Sequence, residues 1–189
     1  MEIRRATKHD LDAIDRLLTD TLWQEDQSVF GHLPFETQQR LRKALRRTTR
    51  DPAAGVLIVL DDTTVVGMLA VHTTEIDELP LRTTWRVVRL AGLIAALHFM
   101  VQALRRYRPR RHEAYLFGLA VAPSHRRRGL AERLMVAGEN YARQLGKPTA
   151  VGFIAHDNAA SMAVSTNRGW TFDRPRPGTR YVRVTKSLG

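Results

Sequence analysis

Arg126, Arg127 and Arg128, followed by Gly129, Leu130 and Ala131, are the residues of this chain best suited to holding an anion. An apolar run from Tyr115 to Val121 reads as a buried strand, Pro123 stops it, and a helical pattern opens at about Leu130. A strand that passes through a turn into a helix leaves backbone N–H groups without partners at the helix start. Those groups and the positive end of the helix dipole suit phosphate oxygens. Gly129 lets a ligand come close to the backbone, Ala131 keeps bulk out of the first turn, and the arginines add charge where a pyrophosphate would lie. The competing reading is an ordinary strand-to-helix turn with a solvated arginine run.

The pattern Arg126-x-x-Gly129-x-Ala131, preceded by Leu119-Ala120-Val121 and Pro123, resembles the acetyl-CoA-binding signature of GNAT-type N-acetyltransferases, Arg/Gln-x-x-Gly-x-Gly/Ala after a strand. A second block, Asn158-x-x-Ser161-x-x-Val164-Ser165-x-x-x-Gly169-Trp170, is similar to the family's Asn-x-x-Ala/Ser-x-x-Leu/Phe-Tyr-x-x-x-Gly-Phe. Two blocks at the family's separation are far more specific than one short glycine motif. The resemblance implies an α/β GNAT fold, a mixed central sheet of about six or seven strands flanked by helices, and an acetyl-CoA-dependent N-acetyltransferase.

By the same resemblance, Leu119, Ala120 and Val121 would hold the pantetheine arm and thioester carbonyl, with the Val121 N–H as an oxyanion donor. Arg126 to Ala131 would bind the pyrophosphate, and Asn158 and Ser161 would touch the pantetheine. Acetyl transfer needs a neutral attacking amine, a donor for the developing oxyanion and protonation of the leaving thiolate. Many relatives carry a tyrosine as general acid where this chain has Ser165, seven residues after Asn158. Serine is a poorer acid than tyrosine, whose pKa is about 10. Ser165 is the catalytic candidate there; three alternatives stand open: Ser165 positions a water, Thr166 takes its place, or the thiolate leaves without a protein acid. Glu113, just before the central strand, is the candidate base, with Glu75, Asp77 and His72 as alternatives. His112, His125 and His156 do not have metal-ligand spacing, so no metal is expected.

The remaining elements must position these groups. Glu2 to Ala6 reads as a strand, and Thr7 or Asp10 caps a helix bearing Leu11, Ile14, Leu17 and Leu18. A second helix runs from about Phe35 to Thr49; the GNAT resemblance implies that the first two helices and their connection border the acceptor site, which makes Trp23, Phe30 and Arg46 candidate acceptor contacts. Ala54 to Leu60 and Thr64 to Thr73 form a hairpin about Asp61-Asp62-Thr63. A helical insert over about 75–113 falls between the third and fourth strands. Its 15 residues between Arg89 and Arg105 carry no formal charge, too few for the roughly 20 that cross a bilayer. The sheet, a second subunit in a homodimer, or a membrane surface would cover it. After the arginine turn come a helix ending at Gly146, a strand from Thr149 to Ala155, a helix opened by Asn158, and strands at Trp170 to Asp173 and Arg180 to Lys186.

With 189 residues and no linker, one domain is expected. The absence of cysteine excludes a disulfide scaffold and a thiol nucleophile, and with an N-terminus lacking an apolar signal core it suits the cytoplasm. Lys+Arg 30 against Asp+Glu 19 gives a formal charge of +11, which favours anionic partners: CoA, nucleic acid, an acidic substrate or a membrane surface. Two further readings stand beside acetyl transfer, the first resting on this charge and the missing tyrosine, the second on the apolar insert as the lining of a tunnel. One is a CoA-binding module with little catalysis acting through its basic surface. The other is transfer of a longer acyl group.

Overall fold

The computed structural model describes residues 1–22, 53–74, 107–175 and 178–189. The expected second helix, Trp23, Phe30, Arg46, Glu75, Asp77 and most of the insert lie outside the described residues. Among the described residues seven strands form one mixed sheet in the order β1-β2-β3-β4-β5-β7-β6. They are β1 (Glu2–Arg5), β2 (Val56–Asp61), β3 (Thr64–His72), β4 (Glu113–Val121), β5 (Thr149–Ala155), β6 (Thr171–Phe172) and β7 (Tyr181–Ser187). Among the described residues the α-helices are α1 (Leu11–Leu22), α2 (Leu130–Gln144) and α3 (Ala159–Asn167). This is the mixed, helix-flanked sheet that the resemblance implies.

Strand alternation splits the apolar residues between two faces. Leu57, Val59, Leu69, Val71 and Leu116 pack with Leu130, Leu134, Met135 and Ala142 of α2. On the other face Ile58, Met68, Ala70 and Ala120 pack with Ile14 and Leu17 of α1. Thr7 and Asp10 both serve the entry to α1. A short 3-10 turn, Lys8–Asp10, precedes it. The Asp10 carboxylate accepts the Thr7 N–H at 2.7 Å and the Thr7 hydroxyl at 2.8 Å. It also takes both Arg4 guanidinium nitrogens at 2.8 Å. Arg4 above all holds this carboxyl far below the usual range.

Neighbouring strands pair antiparallel except β4 and β5, which run parallel. That ladder is short: Glu113, Ala114 and Tyr115 oppose Thr149, Ala150 and Val151, and no pair follows. Beyond it β4 stays with β3 up to Val121, while β5 stays with β7 up to Ala155. The sheet therefore opens at its centre, toward the C-terminal ends of its two parallel strands.

Candidate active site

A kink in β4 widens this opening. Met68 pairs with Ala120 but Ala70 pairs with Phe117, so β4 carries one residue more than β3 over that interval. The extra residue falls at Gly118–Leu119, and Gly118 has φ +66°, a left-handed value that glycine adopts without strain. The Ala122 N–H is donated to the Val66 carbonyl of β3 at 2.8 Å. Backbone groups alternate along a strand, so the Val121 N–H points away from β3, into the gap.

The gap holds a cavity of about 160 Å³. Gly118, Leu119, Gly152 and Ile154 line it from the two strands, and Met135 and Trp170 close it from the α2 face. Phe117, Phe153 and Tyr181 reach it from the opposite face. Tyr181 falls on that face because its neighbour Val182 belongs to the α2-side core. The cleft thus passes between the strands and is walled from both sides of the sheet, so two reactants can meet from opposite faces.

At the cleft's open end β4 leads through Ala122 and a 3-10 turn, Pro123–His125, into the arginine loop. Arg126, Arg127 and Arg128 are exposed and pair with no acid among the described residues. Arg127 has φ 59°, a value β-carbon sterics disfavour. Gly129, at φ 72°, is the N-cap of α2 and provides no side-chain cap. A β-carbon at Gly129 would meet nothing within 4 Å, so space is open there for a ligand. The N–H groups of Gly129, Leu130, Ala131 and Glu132 find no partner among the described residues. Loop and helix start together present unpartnered N–H donors with positive charge beside them. The Leu130 side chain is buried in the α2 core, and that of Ala120 in the α1 core, so either residue meets a ligand through its backbone.

The α3 wall brings together three of the predicted residues. Asn158, Ser161 and Ser165 all line the cleft. The Asn158 side-chain oxygen accepts the Ser161 N–H at 3.0 Å and caps α3, which leaves its amide NH₂ as a donor. Ser165 is buried, and its hydroxyl makes no hydrogen bond to a described residue. Its carbonyl accepts the Trp170 N–H at 3.0 Å while the Gly169 N–H reaches the Thr166 carbonyl at 2.9 Å. This double closure of the helix end places the Trp170 indole against the cleft.

Glu113 lies at the first position of β4, outside the cleft lining. One of its oxygens accepts the Tyr107 hydroxyl at 2.6 Å and the Arg110 N–H at 2.8 Å; the other takes Arg183 at 3.0 Å. Burial opposes its charge, but these donors outweigh that and hold it below the usual carboxylate range. Both oxygens are occupied, and the ion pair ties the start of β4 to β7 across β5. His72, at the end of β3, is buried with its ring edge-on to Phe117 at 6.2 Å between centroids.

A second buried carboxylate escaped the sequence reading. Glu139 of α2 accepts Arg168 at 2.7 Å, Lys186 at 2.8 Å and the Trp170 indole N–H at 3.1 Å. Burial again pushes its pKa up, and Lys186, Arg168 and Trp170 together bring it below the usual range. Phe117, Phe153, Trp170, Met135 and Tyr181 were likewise not anticipated as cleft walls. The glycine inside β4 was the one available signal of a kink beside a ligand. Among the described residues no three His, Asp or Glu side chains gather as metal ligands, and no helix is long and apolar enough to cross a membrane.

The fold recurs in solved acetyltransferase structures. An N-acetyltransferase from Staphylococcus aureus Mu50 matches with TM-score 0.69 at 16% identity, over 98% of each chain. YncA, a putative acetyltransferase from Salmonella typhimurium solved with its cofactor acetyl-CoA, matches with TM-score 0.56 at 18% identity, over 100% of this chain and 94% of that one. The PaiA N-acetyltransferase of Thermoplasma acidophilum, in complex with coenzyme A, matches with TM-score 0.58 at 12% identity, over 98% of each chain. Identities this low speak for the fold alone. No curated protein matches the sequence. The sequence model of the Acetyltransferase (GNAT) family, however, matches residues 16–170, most of the chain. With its split sheet, kinked central strand and open helix start, this chain belongs to the GNAT family of acetyltransferases.

Proposed function

We propose that this protein transfers an acetyl group from acetyl-CoA to a primary amine of a small molecule or protein, by direct attack while both are bound. The observation that carries this reading is that β4 supplies Gly118 and Leu119 to the wall of the β4–β5 cleft and then leads, through the arginine loop, to four partnerless N–H groups at the start of α2. A phosphorylated donor with a long thioester arm fits that path: anion at the helix start, arm in the cleft. Arg126, Arg127 and Arg128 supply charge to the pyrophosphate, and the N–H groups of Gly129, Leu130 and Ala131 supply directed donors. Leu119, Ala120 and Val121 line the arm from β4, Asn158 and Ser161 from α3. The Val121 N–H donates to the thioester oxygen as charge develops there.

Ser165 faces the same cleft and hands a proton to the leaving sulfur, directly or through one water. It is restored by the proton that the attacking amine gives up through solvent, so that amide and CoA thiol form with no net proton change. Glu113 acts by holding β4, Tyr107 and Arg183 in place on the acceptor-facing side, since both its oxygens are engaged. The amine enters past Phe117, Phe153 and Tyr181. Ser165 at the usual tyrosine position and the formal charge of +11 favour one other reading, a CoA-binding module that works through its basic surface.

Calorimetric titration of acetyl-CoA into the wild type and an Arg128→Glu/Gly129→Glu double variant tests the proposal. Saturable binding that the variant abolishes is expected, followed by CoA release with a subset of an amine panel. Absence of binding by folded wild type would overturn it. Binding without turnover across primary, aromatic and peptide amines would favour the basic-surface reading.

A further inference from the structure

We infer that Asp61, His125 and Ser124 form a positioning relay that holds the arginine loop in its anion-binding shape, an inference that rests on the coenzyme reading above. The loop does not keep that shape by itself. Arg127 stands at φ 59° without being glycine, and three exposed arginines in succession repel one another. Such a conformation persists only where its surroundings over-determine it. Among the described residues the loop has few side-chain ties. Arg126 Nε reaches the Val121 carbonyl at 3.2 Å, which ties the loop to the strand it has just left. His125 alone reaches a distant element: its Nε2 lies 3.0 Å from Asp61 Oδ2, and its Nδ1 lies 2.8 Å from the Ser124 hydroxyl.

Asp61 is the last residue of β2 and pairs with Thr64 across the hairpin turn, so it is fixed by the sheet. The imidazole therefore fastens the first turn of the loop to a rigid point 64 residues earlier in the chain. Both contacts are satisfied in more than one protonation state. With Nε2–H donating to Asp61, Nδ1 accepts from the Ser124 hydroxyl when the ring is neutral and donates to it when the ring is charged. The tie stays closed in either form.

The relay touches no reacting atom; it acts by raising the fraction of molecules whose loop can receive the anion. Acetyl-CoA affinity, measured calorimetrically, reads it in wild type, Asp61→Ala, His125→Ala, the double variant and His125→Gln. Each alanine variant is expected to weaken binding about tenfold, as the competent fraction falls to about a tenth. The double variant should bind no worse than the weaker single one, since both remove the same contact. His125→Gln keeps an N–H directed at Asp61 and should retain most of the affinity, a rescue that general loosening would not show. The Asp61 side chain is 43% exposed, so Asp61→Ala tests the relay even if His125→Ala fails to fold. Asp61→Ala binding within about twofold of wild type, or losses that multiply to about a hundredfold in the double variant, would overturn the relay. A wild type that binds no acetyl-CoA would remove the coenzyme reading and the relay with it, and only that result touches both.

Discussion

The two parallel strands each run into a helix, and the two junctions are built in opposite ways. From β5 the chain crosses His156 and Asp157 and starts α3 on Asn158, whose side chain caps the first turn. From β4 it crosses a long arginine loop and starts α2 on Gly129, which offers no side chain and leaves four N–H groups without partners. The entry from β1 into α1 resembles the closed kind, with Asp10 accepting from Thr7 and Arg4. Of the two junctions that follow the parallel strands, one is thus capped from within the chain and the other is left for something outside it. The difference supports the proposed donor site more than the arginines do, since exposed arginines abound here and a helix start opened by glycine without a side-chain cap does not recur among the described residues.

The comparison can be broken at several depths. Glu139 binds the α2 side to the end of α3 and to β7, so Glu139→Ala is expected to cost about 3–5 kcal/mol by leaving Arg168 and Lys186 without their acid. Urea unfolding measures it; a loss under about 1 kcal/mol would mean that the two junction helices are not held as a unit. The native carboxyl titrates below its unfolded value, so its contribution is complete above the ordinary glutamate range. That contribution fades as pH falls through the lower folded value, and the wild-type and variant unfolding curves should converge in acid.

Gly129→Ala comes next. A β-carbon at φ 72° meets no neighbour, so its cost of about 1–2 kcal/mol is conformational alone. The loop would relax away from the binding shape, and acetyl-CoA affinity should fall more than stability does. Asn158→Ala should show the reverse balance, about 1 kcal/mol of stability for the lost cap and only a small loss of affinity. Equal ratios of affinity loss to stability loss at the two positions would erase the distinction between the junctions. The smallest effect belongs to the third entry. Asp10→Asn should cost about 1 kcal/mol at neutral pH, discounted because Arg4 is partly exposed. Since the Asp10 carboxyl is depressed, that difference should shrink as pH drops below the ordinary aspartate range.

What could be read from the chain beforehand was local. The bounds of β5, Thr149 to Ala155, follow from an apolar run between Pro148 and the polar His156-Asp157 step, and the structure reproduces them. The open helix start was legible because its residue types are rare together: strand, proline, arginines, glycine, helix. The two carboxylate networks were not, since Glu139 finds its partners 29, 31 and 47 residues away and Glu113 finds Arg183 at 70. No periodicity carries pairings of that separation. His125 was legible only as a histidine without metal-ligand spacing for the same reason: Asp61, 64 residues earlier, becomes its neighbour only in the folded chain. Tyr181 and Phe153 reach the cleft through the pairing of β5 with β7, which places Ala155 opposite Tyr181 and Phe153 opposite Arg183.

The short ladder between β4 and β5 has a thermodynamic consequence. A sheet that stops pairing at its centre forgoes hydrogen bonds and packing there, so the empty protein sits below the stability its size would allow. A ligand that occupies the opening binds only the folded chain and adds stability by linkage, about 2.7 kcal/mol at a hundred times its Kd. For a chain of this length that corresponds to a rise of roughly 5–10 °C in Tm. Thermal denaturation should therefore rank donors, and later acceptors, before any reaction is assayed: the gap that makes transfer feasible also makes the protein report what fills it.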